Sequence, residues 1–211
     1  MNGTKPCRLL PLATSIRTPP LSPARDISPS IGDAADESVS TDVKISSKVR
    51  ALVQQIKSCP TEKHVVFSSW TSSLDMVERG LAAVPVASVR IDGSVTPVNR
   101  AHAIDQLRSN PNVRVILLTI SCGACGLDLT AASVVHLLEP QWNPSLEDQA
   151  LARVHRLGQT RPVTTFRYIM RDSFEEHMLK VQDRKKLLTT MLLSDNAAIQ
   201  SLQDMLSDNQ G

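Results

Sequence analysis

"VRVILLTI" (residues 113–120) is apolar at six of its eight positions, on both faces of the strand that it would form. A strand buried on both faces is typical of a parallel sheet that helices cover on each side. Strand-like runs also occur at 64–69, 86–92, 132–139 and 163–170, and helix-like segments separate them. The sequence therefore predicts an α/β fold, a single lobe with a mostly parallel sheet flanked by helices.

Composition divides the 211 residues into three parts. Residues 1–44 hold six of the thirteen prolines, many serines and no aromatic residue, which predicts a disordered segment. Residues 45–192 hold the alternating elements and end in a long helix that starts at Ser173 and is expected to pack back on the sheet. Residues 193–211 are expected to form a tail with one weak helix.

Charge and cysteine content narrow the class of protein. The net charge is only +2, but residues 150–190 contain nine Lys/Arg against four acids. This local excess favours an anionic partner, and a solvated helical face is the alternative. Four cysteines without a signal peptide indicate a reducing compartment. No apolar run has the length needed to span a bilayer, so no membrane partner is expected.

The loops after the predicted strands are the expected place for a ligand. In open parallel sheets, ligands bind at the carboxyl ends of the strands, where loops and helix N-termini converge. The segments at that edge are rich in Gly, Ser, Thr and Trp: SSWTS (68–72), DGSVT (92–96), SCGACGLDLT (121–130) and EPQWNPS (139–145). We therefore expect the functional residues to lie in these four loops.

The segment QALARVHRLGQTRP (149–162) predicts a helix with arginines beside its buried face. Its predicted bounds are set by Asn143 as N-cap, Pro144 in the first turn and Gly158 at the end. At helical spacing an apolar stripe is formed by Leu146, Ala150, Val154 and Leu157. A second stripe, about 90° away, is formed by Gln149, Arg153 and Arg156. Guanidinium groups suit phosphate oxygens, and ion pairs with neighbouring acids are the alternative.

Three blocks of sequence resemble one family in the same order. The family is the Swi/Snf-type helicase-like ATPases of helicase superfamily two. Its motif IV resembles residues 63–81, KHVVFSSWTSSLDMVERGL, and the DNA-side block that follows motif IV resembles residues 89–107, VRIDGSVTPVNRAHAIDQL. Its motifs V and VI together resemble residues 115–163. The resemblance covers their C-terminal lobe, from about Ser46 to Leu192. It is closest to the RING-associated DNA-repair branch, with helicase-like transcription factor and the Rad-type proteins. It implies a RecA-like lobe with a helical C-terminal brace.

The resemblance implies roles for individual residues. Arg153 and Arg156 match the arginine fingers, catalytic residues that reach the γ-phosphate of ATP held by another lobe. Nucleotide-binding roles fall on Gly126, Asp128 and Gln149, although many relatives carry Asn at the position of Asp128. Positions that line the DNA track are Ser68, Ser69, Trp70, Gly93, Ser94, Thr119 and Ser121. They would contact phosphates of double-stranded DNA, so binding is expected to be sequence-independent and salt-sensitive.

Several other residues are of types that often bind metals or catalyse reactions, but we interpret them as structural. Cys122 and Cys125 form a CxxC pair, but no second pair stands at zinc spacing, so no metal ligands are expected. His155 is expected to pack or hydrogen-bond at the lobe interface rather than act as a base. Trp142 is expected to lie in a structural position beside the cleft, and stacking on a base is its alternative.

The sequence lacks the motif that holds ATP. No G-x-x-x-x-G-K-[ST] occurs in the 211 residues. We therefore expect a fragment without the Walker A and B lobe, which binds ATP with Mg²⁺ mainly through a partner, a Swi/Snf-type N-terminal ATPase lobe. The first hypothesis is half of a nuclear, DNA-dependent ATPase or translocase of chromatin remodelling or DNA repair, inactive without its first lobe. The second is a non-catalytic DNA- or protein-binding module.

Overall fold

One sheet organises the part of the chain that the computed structural model describes, residues 9–14, 45–123 and 126–207. Its strand order is β1-β6-β5-β2-β4-β3. The strands are β1 (Leu9–Thr14), β2 (His64–Ser68), β3 (Ala87–Ile91), β4 (Val113–Thr119), β5 (Val134–Leu137) and β6 (Thr164–Met170). The helices are α1 (Ser47–Ser58), α2 (Thr71–Leu81), α3 (Pro97–Ser109), α4 (Ile120–Gly123), α5 (Pro144–Leu151) and α6 (Phe174–Ser207).

The strands β2 to β6 run parallel, and each lies within the run predicted for it. Alternate residues of the central strands enter two separate cores. Val66 and Leu117 pack with α1 and α2 on one face, whereas Phe67 and Leu118 pack with α3 and α5 on the other. The prediction of an α/β lobe with a mostly parallel sheet is therefore confirmed.

One short strand lies within residues 1–44, the segment for which the sequence predicts disorder. Leu9–Thr14 pairs antiparallel with β6, from Leu9 opposite Met170 to Thr14 opposite Thr165. The run LLPLAT carries three leucines, which composition averaged over 44 residues obscured. Pro11 is compatible with this strand because β1 lies at the edge of the sheet. The rest of the predicted disordered segment lies outside the described residues.

The helix predicted for 144–158 ends earlier, at Leu151, with Ala152 as C-cap. Residues 152–158, which we call the arginine turn, continue in tight turns, and Val154 N–H donates to the Leu151 carbonyl. The Arg153 carbonyl accepts from Leu129 N–H at 3.1 Å, a long-range bond that replaces a helical one. Leu157 is 100% exposed, so the predicted apolar stripe stops at buried Val154.

The C-terminal helix continues past residue 193, where the sequence predicts a tail with one weak helix. α6 runs without a break from Phe174 to Ser207, since nothing from 193 to 207 is Gly or Pro. Ser173 Oγ accepts from Glu175 N–H at its start. α6 packs on the lobe through Gln182, which donates to the Gln141 carbonyl and to Glu147 Oε1. Across the described helices, no segment is both long and apolar enough to cross a membrane.

A chain of buried polar groups crosses the middle of the sheet. His64 Nε2 lies 3.3 Å from the Cys59 carbonyl, and His64 Nδ1 lies 3.0 Å from His136 Nε2. His136 Nδ1 lies 2.9 Å from the Tyr168 hydroxyl. Because a carbonyl only accepts, each ring donates through Nε2 and accepts at Nδ1 when both histidines are neutral. Sequence analysis saw only scattered histidines because β2, β5 and β6 are distant in the chain.

Candidate functional site

The loop after α4 forms one side of the candidate site. In the 126–130 loop (residues 126–130), Gly126 has φ of +73°, a left-handed conformation that glycine adopts without strain. A Cβ added there would meet nothing within 4 Å, so the backbone faces open space. The backbone at Gly126, a residue to which the resemblance gives a nucleotide-binding role, is therefore accessible to a ligand.

Asp128 is the most constrained side chain of this loop. Its Oδ1 accepts from the amide and the hydroxyl of Thr130, at 3.1 and 2.7 Å, and its Oδ2 pairs with Arg108 at 2.8 Å. The hydrogen bonds from Thr130, with the nearby charges of Arg108 and Arg156, hold the pKa of Asp128 below its usual value. A ribose hydroxyl at Asp128 would therefore share Oδ2 with Arg108.

An open cleft of about 460 Å³ lies between α3 and the 126–130 loop. Gly126 and Asp128 line one side, and the α3 residues Arg100, Ile104 and Arg108 line the other. Arg100 is oriented by its bonds to the carbonyls of Asp92 and Val95, at the base of the loop before α3. The cleft thus combines an exposed arginine, a half-buried carboxylate and an apolar wall.

The arginine turn lies directly beside the 126–130 loop. The bond from Leu129 N–H to the Arg153 carbonyl joins the two segments. Arg153 is half-buried, and the more exposed Arg156 is close enough to Asp128 to lower its pKa. The two predicted fingers and two of the predicted nucleotide positions therefore meet at one edge of the lobe. Gln149 lies one to two turns earlier, exposed on α5.

Gln159 joins the same two segments through its side chain, although sequence analysis assigned it no role. Its Nε2 donates to the carbonyls of Ala132 at 2.8 Å, Thr130 at 3.1 Å and Val154 at 3.4 Å. Its Oε1 accepts from Arg161 N–H. Gly158 allows this approach because its φ is +106°. The sequence feature that could have indicated this role is a glutamine directly after a glycine that ends a turn.

The end of β2 separates the predicted DNA contacts into buried and exposed residues. Ser68 is only 2% exposed, and its hydroxyl donates to Glu139 at 2.9 Å and accepts from Trp70 N–H. Ser69 is half-buried, with its N–H on Glu139 Oε2, whereas Trp70 is 64% exposed. Trp70 is therefore the surface group here, and Glu139, which the sequence analysis left unassigned, fixes its loop.

The remaining predicted DNA contacts follow β3 and β4. Gly93 and Ser94 are exposed, and Asp92 fixes their turn by accepting from Ser94 N–H at 2.9 Å. Asp92 also pairs with Arg90, which reaches Asp75 and Glu78 on α2. Thr119 is buried, and exposed Ser121 donates to its hydroxyl at 3.4 Å. Together with Trp70, the residues Gly93, Ser94 and Ser121 form the exposed part of the predicted track.

A buried ion pair holds the helix that precedes the arginine turn. Glu147 on α5 is 1% exposed and pairs with Arg167 of β6 at 3.0 Å. Its other oxygen accepts from Gln141 N–H at 2.8 Å and from Gln182 at 2.6 Å. These contacts fix α5 to the sheet and to α6. Sequence analysis missed them because each partner comes from a different element.

The residues given a structural interpretation are described in part. Within the described ranges, no group of three His, Cys, Asp or Glu side chains is placed to hold a metal ion. Cys122 is buried, and Cys125 lies outside the described residues. Trp142 is half-exposed and packs edge-on against Phe174, with ring centroids 5.4 Å apart.

A parallel-sheet lobe with a glycine loop and paired arginines at one edge defines a class, the RecA-like helicase lobes. The chain belongs to the helicase conserved C-terminal domain family, whose model matches residues 47–158. Its relatives are Swi/Snf helicase-like proteins of the Rad5, Rad8 and helicase-like transcription factor type. The family inferred from sequence is thereby confirmed.

Three relatives illustrate the match. DNA repair protein rad8 of Schizosaccharomyces pombe is 38% identical over 165 residues, which is 77% of this chain and 15% of rad8. DNA repair protein RAD5B of Arabidopsis thaliana is 38% identical over 152 residues, 72% of this chain and 12% of RAD5B. Helicase-like transcription factor CHR27 of the same plant is 40% identical over 126 residues, 60% of this chain and 12% of CHR27. The chain thus spans a small part of each relative's length.

A solved structure supports the same fold. The crystal structure of the C-terminal part of the Fun30 ATPase domain matches with a TM-score of 0.65 and 30% sequence identity. The match covers 68% of this chain and 48% of that chain. It confirms the RecA-like architecture predicted from the sequence.

Proposed function

We propose that this chain supplies the second lobe of a DNA-dependent ATPase or translocase that acts in DNA repair or chromatin remodelling in the nucleus. The observation that carries the proposal is the junction between the arginine turn and the 126–130 loop. There the Arg153 carbonyl accepts from Leu129 N–H, and Arg156 lies near Asp128. A turn that carries two arginines, joined to a loop whose glycine backbone faces open space, suits a polyphosphate.

The described residues fit part of an ATP site. Gly126 faces open space, Arg108 pairs with Asp128, and the charge of Arg156 also acts on Asp128, so the local charge is positive. We propose that ATP and its Mg²⁺ are held mainly by an N-terminal lobe of Swi/Snf type. ATP would supply the phosphoryl group. Gln149 and Asp128 would orient the part of the bound ATP that lies nearest to this lobe.

Arg153 and Arg156 act on the charge that develops during phosphoryl transfer. A guanidinium group is permanently charged and offers paired N–H donors, so it stabilises oxygens that gain negative charge. Arginine fingers raise the rate of phosphoryl transfer by a factor of about 10³ to 10⁵. Without the lobe that holds the phosphates, these arginines have no substrate, so this chain alone is expected to be inactive.

DNA contact is proposed for the exposed loops at the carboxyl ends of β2, β3 and β4. Backbone and hydroxyl groups at Gly93, Ser94 and Ser121, with the indole of Trp70, face solvent there. Such groups contact phosphates and sugars rather than base edges, so the proposed partner is double-stranded DNA of any sequence. Affinity should fall steeply with salt.

The test is to mix the full chain with the separately produced first lobe of a Swi/Snf-type relative. ATP hydrolysis is measured with and without duplex DNA. We expect DNA-stimulated hydrolysis in the mixture and none from this chain alone. Arg153→Ala should lower kcat about 10³-fold, in keeping with the size of arginine-finger effects.

Arg50→Ala is the matched control, because Arg50 is an exposed arginine on α1, on the opposite face of the sheet. It should leave kcat unchanged. A mixture that hydrolyses no ATP, while the chain binds DNA equally well with Arg153→Ala and with or without nucleotide, would replace the enzyme proposal with a non-catalytic binding module.

A further inference from the structure

Arg153 and Arg156 are held by different contacts. The Arg153 carbonyl is bonded to the backbone of the 126–130 loop through Leu129. The Arg156 carbonyl instead accepts from Gln159 N–H at 2.9 Å. Because Arg156 lies beyond the end of α5 and just before a left-handed glycine, helical bonds do not determine where its backbone lies. The position of Arg156 therefore depends on what holds Gln159.

We propose that Gln159 is the positioning residue for Arg156 in the site described above, an inference that rests on the proposed function. Its primary amide bonds to both sides of the junction: to Thr130 at the end of the loop and Ala132 just after it, and to Val154 within the arginine turn. Its oxygen is also used, by Arg161 N–H. One side chain thus sets the distance between the finger and Asp128.

The chemistry of the amide is specific to this role. Three carbonyl oxygens converge on Nε2, so the group must donate, while Oε1 must accept. A glutamate of the same shape has no donor and brings negative charge towards those carbonyls. A leucine of similar size neither donates nor accepts. Gln159→Leu should therefore free the turn, and Gln159→Glu should displace it further.

The first experiment needs only this chain. Amide hydrogen exchange is measured by NMR for the wild type and for Gln159→Leu. Protection of the residue 159 N–H, which donates to the Arg156 carbonyl, should fall about tenfold, because the side-chain bonds that hold the turn at Gln159 are gone. The amide of Leu117 in the central strand should keep its protection. Unchanged protection at residue 159 would overturn the inference whether or not the chain takes part in ATP hydrolysis.

The second experiment is a double-mutant cycle in the reconstituted ATPase. Gln159→Leu should lower kcat by up to about 10²-fold and leave KM for ATP nearly unchanged, since small displacements of a catalytic group have effects of this size. Arg156→Ala should then cause little further loss in the Gln159→Leu background. Arg153→Ala should keep its full effect there, because Arg153 is held by Leu129.

Gln182→Leu is the matched control, because this substitution removes a glutamine that donates two hydrogen bonds between α6, Gln141 and Glu147. It should lower stability, and its effect on kcat should add to that of Arg156→Ala. Additive effects of Gln159→Leu and Arg156→Ala would show that Gln159 does not act through Arg156. A wild-type mixture without ATPase activity would refute the proposed function, and the exchange experiment would still decide the role of Gln159.

Discussion

Lowering the pH from 7.5 to 5.5 is expected to destabilise this lobe through the buried pair His64 and His136. Burial lowers the pKa of His136 well below its ordinary value, and the neighbouring His64 adds to the effect. Burial also lowers the pKa of His64; the hydrogen bond to the Cys59 carbonyl opposes this shift, and the charge of Arg114 adds to it. Both rings already use Nδ1 as an acceptor, so a proton added there would break a hydrogen bond.

The sign and size follow from proton linkage. In the unfolded chain each histidine titrates near pH 6.5, so below that pH the unfolded state binds more protons than the folded state. Stability is fully present above pH 6.5 and is lost as the pH falls towards the lowered folded pKa. The slope approaches about 1.4 kcal/mol per pH unit for a histidine that stays neutral in the folded state, so the pair contributes no more than about 2.7.

The assay is urea unfolding, followed by circular dichroism, at half-unit steps between pH 7.5 and 5.5. This window lies above the range where Asp92 and Asp128, whose pKa values are lowered, begin to lose stability. In a variant with both His136→Phe and Tyr168→Phe the slope should be about halved. His102→Asn, a change at an exposed histidine on α3, is the control. A free energy of unfolding that stays constant across the window would refute the reasoning.

Two further predictions concern packing and buried charge. Gly80→Ala should lower the free energy of unfolding by about 1–3 kcal/mol, because the new Cβ would lie 2.7 Å from Val49 Cγ1 in the α1–α2 contact. Urea unfolding measures this, and Gly93→Ala, where a Cβ meets nothing within 4 Å, should leave the packing undisturbed. Arg167→Met should cost about 3–5 kcal/mol by leaving the carboxylate of Glu147 buried without its ion-pair partner. If the urea midpoint of Arg167→Met equals that of the wild type, the ion pair does not stabilise the fold in this way.

The strands were predictable because their signal is local. VRVILLTI and HVVFS are buried along almost their whole length, and a continuous apolar run bounded by polar residues indicates such a strand. The junction between Gly126 and the arginines was predictable for a different reason. The order of parallel strands brings their carboxyl ends, and the loops after them, to one edge.

The parts that were missed depend on contacts between distant segments. α5 ends at Leu151 because the Arg153 carbonyl bonds to Leu129, which no helical periodicity reveals. Ser68 resembles a surface hydroxyl in sequence, yet it is buried because Glu139 lies after the neighbouring strand. Gln159 resembles an ordinary loop residue in the sequence, and only the structure reveals its three carbonyl partners.

The arrangement of the outermost strands bears on how the protein behaves at high concentration. Exposed sheet edges can pair with other molecules and begin aggregation. β1 occupies one side of β6, and on β3 the guanidinium of Arg90 is surrounded by Asp75, Glu78 and Asp92, so the opposite border is dense in charge. Removing residues 1–15 should therefore leave the parallel core folded but make it prone to self-association, which light scattering would detect.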